Sequence, residues 1–240
     1  MKRLVLLIMK FSVKIFFWLK KIKKMTYDES ISREEKYAYL HRIIKEVVGG
    51  SGVDLKCYGI ENLPEEQGYL ITPNHQGMFD ALALLSTHPT PMSAVLKQEL
   101  VGKPIVGTVI DYIEALPMDR SNLRASMKVI KEVTRRLEKG YNYVIFPEGT
   151  RSKQGNQMLE FKGGSFKAVI DAKKPIVPVA LIDCYKPFDK EVKGKIVAQI
   201  HYLKPMYYDE YKNMSSVEIA KAVQSRIQAC IDENAKKNIA

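Results

Sequence analysis

The apolar positions of this chain change period several times, and each change marks an element. Residues 4–19 are mostly apolar, with Lys10 and Lys14 inside the run. Residues 31–48 place Tyr37, Leu40, Ile43, Ile44, Val47 and Val48 at i, i+3, i+4 spacing, and Gly49-Gly50 closes the pattern. This predicts a second helix that can fold back on the first. After Gly52 short apolar runs take over. Residues 54–60, 68–73, 92–96, 142–146, 176–182 and 195–203 read as strands. Between them, residues 80–88, 99–112, 122–139 and 163–172 read as helices. In the 122–139 segment the apolar stripe is Leu123, Met127, Ile130, Val133, Thr134 and Leu137, and Gly140 ends it. Ser215-x-x-Glu218 is a capping box opening a last helix near 216–234. Strands alternating with helices predict an α/β domain, its buried mixed sheet flanked by helices. The expected organisation is residues 1–50 as N-terminal helices and residues 51–240 as the α/β domain.

Charge sharpens the reading of the first segment. The net charge is +11, and residues 1–24 supply +8 of it through eight cations and no acid. The other 216 residues carry only +3. Basicity confined to one terminal segment argues against a nucleic-acid partner, which would want a basic stripe across the domain. The lysines inside the run and the lack of a small-residue cleavage site argue against a signal peptide. The 16-residue run is short of the ~20 residues that cross a bilayer. At ~100° per residue, Arg3, Lys10, Lys14 and Lys21 fall within a ~40° stripe, with Leu4, Val5, Ile8, Phe11, Ile15, Phe16, Trp18 and Leu19 opposite. The expectation is a helix lying in the membrane interface, with Lys10, Lys14 and Lys21 on anionic headgroups and Trp18 in the boundary. A short tilted transmembrane anchor is the alternative. Cys57, Cys184 and Cys230 are too scattered for a disulfide framework or a zinc site; Cys57 and Cys184 are expected in the core, and no metal is expected.

Two polar segments follow predicted strands, where α/β sheets place ligands. The first is Pro73-Asn74-His75-Gln76-Gly77-Met78-Phe79-Asp80. One helical turn brings the Asp80 carboxylate to His75 Nδ1, which fixes the tautomer and leaves Nε2 to take a proton from a hydroxyl. No serine or cysteine is paired with it, which suits direct attack by a substrate hydroxyl. A structural histidine beside a capping aspartate would give the same spacing. The second is Phe146-Pro147-Glu148-Gly149-Thr150-Arg151-Ser152. Arg151 offers a planar fork, Thr150 a hydroxyl and Gly149 close backbone approach. Lys162 adds a cation before Gly163-Gly164. Together these suit a phosphate group, and an ordinary solvated loop is the competing reading. His41, His88 and His201 carry no comparable signal.

Taken jointly, Asn74-His75-x4-Asp80, Pro117-Met118-Asp119-Arg120, Phe146-Pro147-Glu148-Gly149-Thr150-Arg151 and Ile176-Val177-Pro178-Val179 resemble, in order, the motifs of the glycerolipid acyltransferases, best known for the 1-acylglycerol-3-phosphate acyltransferases. The resemblance covers about residues 54–185. It implies His75 as general base with Asp80 as its orienting partner. It places Arg120, Glu148, Gly149 and Arg151 in the acceptor-binding blocks, the arginines on glycerol phosphate, with Glu148 orienting a donor. Lys97 matches a basic position suited to the oxyanion or the donor. The implied acceptor is a lysophospholipid. The implied co-substrate is a thioester of coenzyme A or acyl carrier protein, with no further cofactor. The implied location is the cytoplasmic face of the cell membrane, peripheral or monotopic. Two departures bear on the acceptor: Gly77 stands where many members carry serine, and the second block reads Leu116-Pro117-Met118-Asp119-Arg120. The rivals are another acceptor within the family, a non-catalytic membrane scaffold, and a lipid hydrolase.

Overall fold

The computed structural model describes residues 2–192 and 194–235. A seven-stranded sheet runs in the order β1-β7-β6-β2-β5-β3-β4. Its strands are β1 (Val53–Tyr58), β2 (Leu70–Pro73), β3 (Met92–Lys97), β4 (Leu116–Met118), β5 (Asn142–Val144), β6 (Ile176–Ile182) and β7 (Ile196–Tyr202). Every neighbouring pair is parallel except β6 and β7. The helices are α1 (Lys2–Thr26), α2 (Arg33–Gly50), α3 (Asp80–Thr87), α4 (Pro104–Tyr112), α5 (Leu123–Glu138), α6 (Lys167–Ala172), α7 (Lys186–Asp189), α8 (Tyr208–Tyr211) and α9 (Ser216–Asn234).

The sheet is buried on both faces, and β6 shows how. All seven of its residues are buried. Val177, Val179 and Leu181 enter one apolar cluster with α1, α2 and α3, whereas Ile176, Ala180 and Ile182 enter the other with α5, α6 and α9. A continuous apolar run rich in valine, isoleucine and leucine is the sequence signature of such a two-faced strand. The expected α/β class and mixed sheet are therefore observed. β6 and α9 match their sequence bounds, and α9 opens on the capping box of Ser215 and Glu218. β4, α7 and α8 escaped the sequence reading. β4 is three residues long and contains Pro117, which blurs its period. Cys57, expected in the core, is exposed: β1 is an edge strand whose buried end is Val53. Cys184 is buried, as expected.

The N-terminal hairpin shares the sheet's core. Leu7, Phe11, Ile22 and Met25 of α1 are buried in the same cluster as Tyr37, Leu40 and Ile44 of α2 and the β6 residues. α2 begins with a capping box from Ser32 and Glu35. The docked face of α1 gives its exposed cations protein partners. Lys10 donates to the Gly50 carbonyl at 3.2 Å, Lys14 pairs with Glu46, and Lys21 stands 4.5 Å over the Tyr39 ring. Trp18 packs on Phe11 with ring centroids 5.7 Å apart. Arg3 donates to the carbonyls of Gly52 and Gly194. The basic stripe thus borders the protein-facing side, because α2 and the 192–194 loop offer it carbonyls and a carboxylate. The outward face presents Val5, Leu6, Met9, Val13, Phe16 and Phe17, all exposed, followed by exposed Lys20, Lys23 and Lys24. No described helix is long and apolar enough to cross a membrane.

Candidate active site

The parallel strands deliver the sequence motifs to one edge. β2 ends at Pro73 and leads into His75; β5 ends at Val144 and leads into the Phe146–Arg151 loop. From β2 the chain passes through α3 to β3 on one side, and from β5 through α6 to β6 on the other. Connections leaving in opposite directions open a crevice at the carboxyl ends of the strands, the usual ligand position in such sheets.

His75 Nδ1 lies 2.7 Å from Asp80 Oδ2, and the same oxygen accepts the backbone N–H groups of Gln76 at 2.6 Å and Gly77 at 2.9 Å. Asp80 is fully buried at the first turn of α3, while the His75 side chain is 24% exposed. Burial pushes the Asp80 carboxyl up, and the His75 contact and the two N–H groups pull it back. Asp80 Oδ2 thus gathers two backbone N–H donors and the ring nitrogen, while Oδ1 has no partner among the described residues. This favours a carboxylate facing an Nδ1–H. Nε2 then carries the lone pair, on the open side of the ring.

The two motifs are tied together through His75. Phe146 stacks on the imidazole with centroids 4.0 Å apart, and Ser152 N–H donates to the His75 carbonyl at 2.9 Å. Glu148 is buried, and its carboxylate accepts the backbone N–H groups of His75 at 2.6 Å and Leu159 at 2.9 Å. Burial raises the Glu148 carboxyl, and those two N–H groups oppose the rise. Each Glu148 oxygen thus takes a backbone N–H, and the carboxylate holds the His75 loop. Asn74 and Gln76 have similar duties. Asn74 exchanges two hydrogen bonds with the Leu181 backbone, and Gln76 spans Asn156 and the Cys184 N–H.

The remaining candidates lie along the same edge. Gly149 has φ +74°, a left-handed turn that L side chains rarely adopt, and a methyl there would lie 3.3 Å from Lys162 Nζ. Lys162 is thereby brought over the loop that carries exposed Thr150 and half-buried Arg151. Arg151 Nη1 pairs with Asp189 Oδ1 at 3.1 Å. Lys97 ends β3 in register with Met118 of β4, and its ammonium pairs with Glu99 at 2.8 Å. Arg120 follows β4 two residues on, exposed. At about 4.8 Å per strand spacing, β4 stands roughly 14 Å from β2. Lys97 and Arg120 therefore flank the crevice rather than touch the histidine. Asp189 is the site residue that sequence reading missed; the glycine at 77, lacking a side chain, was the available hint that another group occupies its space.

The segment that carries this histidine, its buried carboxylate and the neighbouring loop is the part of the chain matched by a family model described as Acyltransferase. That model matches residues 54–182, more than half of the chain, and the chain belongs to the acyltransferase family. Over 176 residues it is 29% identical to a 1-acyl-sn-glycerol-3-phosphate acyltransferase of Limnanthes douglasii, covering 72% of this chain and 62% of that protein. Over 131 residues it is 33% identical to a protein of the same name from Pseudomonas aeruginosa, covering 54% and 50%. The matched part thus spans about half to three fifths of these relatives. The fold is that of the crystal structure of a 1-acyl-sn-glycerophosphate (LPA) acyltransferase from Thermotoga maritima, with a TM-score of 0.76, 22% identity, and 95% of each chain covered.

Proposed function

We propose that this protein transfers an acyl group from a thioester to the free hydroxyl of 1-acyl-sn-glycerol-3-phosphate, giving phosphatidic acid. The observation that carries the reading is the His75–Asp80 contact, with Asp80 wholly buried and the far ring nitrogen open to the crevice. The names of the relatives support the acceptor. His75 Nε2 removes the hydroxyl proton as the oxygen attacks the thioester carbonyl. Asp80 stabilises the imidazolium that forms. The tetrahedral intermediate collapses, the C–S bond breaks, and the leaving sulfur takes the proton back. Arg151, Lys162 and Arg120 supply cations for the acceptor phosphate, with Thr150 on the same loop. Lys97 is the candidate for the oxyanion or the donor. Neither metal nor cofactor enters these steps; coenzyme A or acyl carrier protein carries the acyl group.

The reading puts the reaction at the cytoplasmic face of a membrane, and the exposed face of α1 supports the membrane contact. Its outward side carries six bulky apolar residues with lysines after them, the make-up of a helix lying in the lipid interface. The lipid contacts fall to Val5, Leu6, Met9, Val13, Phe16 and Phe17, with Lys20, Lys23 and Lys24 toward anionic headgroups. The test is an acyl-transfer assay in mixed micelles on lysophosphatidic acid, run with acyl-coenzyme A and with acyl carrier protein. Phosphatidic acid is expected with at least one donor. Product from a different acceptor only would overturn the acceptor assignment, and free fatty acid without acceptor would favour a hydrolase.

A further inference from the structure

A third segment meets the two motif loops. α7 ends in Asp189, and both of its carboxylate oxygens are engaged. Oδ2 accepts the Met78 N–H at 3.0 Å, and Oδ1 accepts from Arg151 Nη1 at 3.1 Å. Space for this carboxylate depends on residue 77. A methyl on Gly77 would fall 2.4 Å from Asp189 Oδ2 and 3.1 Å from the Tyr185 Cα. Gly77 is not among the residues with positive φ, so its glycine answers to space and not to backbone torsion. The carboxylate therefore sits against Arg151, the arginine best suited to a phosphate.

We propose that Asp189, admitted by Gly77, is a specificity-determining residue of the acceptor site. It weakens the preference for a phosphate monoester headgroup over a phosphodiester, and so widens the range of lysophospholipids the site accepts. The proposal rests on the phospholipid-acceptor reading above. An arginine binds phosphate best through two parallel N–H bonds. With Nη1 given to Asp189, the Nε/Nη2 edge remains for a ligand, so binding persists. The cost lies in charge. Asp189 repels an anion seated on Arg151 in proportion to that anion's charge. A monoester carries between half a charge and one charge more than a diester at neutral pH. Half to one extra unit at ~6 Å, in an effective dielectric of about 40 between those of a protein surface and bulk water, corresponds to about 3- to 10-fold in relative affinity, or about 5-fold at the middle of that range.

Lysophosphatidic acid and lysophosphatidylglycerol are compared as acceptors for the wild type, Asp189→Ala, Gly77→Ala and the double variant in the same micelles. Binding of sn-glycerol 3-phosphate and glycerophosphoglycerol is measured beside it by titration calorimetry on the full chain. Asp189→Ala is expected to raise the monoester-to-diester ratio about 5-fold, in kcat/KM and in binding. Gly77→Ala, which displaces the carboxylate without removing it, should move the ratio in the same direction, and the double variant should add nothing further. A purely structural role would lower both acceptors together and leave the ratio alone. A ratio unchanged or lowered in Asp189→Ala overturns the proposal. A binding ratio that shifts while no lysolipid is acylated upholds Asp189 and defeats the transfer reading.

Discussion

Glu148→Gln separates two roles that the sequence alone cannot. The carboxylate is buried and takes one N–H on each oxygen, from His75 at 2.6 Å and Leu159 at 2.9 Å. Glutamine keeps the volume but offers one acceptor and one donor group, so at least one of these N–H groups faces another donor. A hydrogen bond to a charged group contributes about 1.5–3 kcal/mol. Part of that loss is offset, because a neutral amide avoids the burial that raises the carboxyl. A net loss of ~2 kcal/mol is expected, or about 4–8 °C in Tm for a domain of this size. The freed loop also lets the imidazole drift, and a displacement near 1 Å costs about 100-fold in rate. The assay is scanning fluorimetry together with acyl-transfer kinetics. The expected pattern is a lower Tm and a lower kcat with little change in KM for the acceptor. An unchanged Tm and kcat with a raised KM alone would refute this and return Glu148 to the substrate.

Two further predictions follow from the facing of α1 and from a carboxylate on α5. Phe16→Asp or Phe17→Asp should release the protein from anionic vesicles by more than 10-fold, since each buried aromatic contributes ~1.5–3 kcal/mol. Lys10→Gln and Lys14→Gln should leave vesicle binding nearly unchanged in co-sedimentation; the opposite pattern would put the basic stripe on the lipid. Glu132 is held down at about 2 by hydrogen bonds from Arg135 and Arg136. A depressed carboxyl contributes stability above its ordinary value of 4.5 that is lost as pH falls toward about 2. Glu132→Gln should therefore flatten the acid limb of Tm against pH over that window, and an unchanged limb would contradict it. Asp80 and Glu148, both raised by burial, act with the opposite sign and weaken stability as pH rises through their range.

The His75–Asp80 contact was legible because its geometry is local: five residues and one helix start bring Asp80 to His75. β6 and α9 were legible because an unbroken apolar run and a capping box are local signals too. The facing of α1 was not. A helical wheel separates a basic stripe from an apolar one, but which stripe docks depends on the carbonyls and the Glu46 carboxylate that α2 supplies. The duty of Glu148 was hidden because its partner, the His75 N–H, lies 73 residues away in sequence. Asp189 was hidden for the same reason, being placed by a four-residue helix that carries no period of its own. Burial of Leu7 and Phe11 in the shared core also changes how the membrane is best tested. Deleting α1 would uncover the sheet, whereas substituting its outward face does not.

The most direct test of the central claim is the rate of acyl transfer to lysophosphatidic acid by His75→Ala against the wild type, with far-ultraviolet circular dichroism and Tm showing both folded. Loss of a positioned general base lowers the rate by about 10²–10⁴-fold. The variant is predicted to lose turnover to at least that extent while still binding the acceptor. Acyl transfer by folded His75→Ala at a rate near the wild type's would contradict the account.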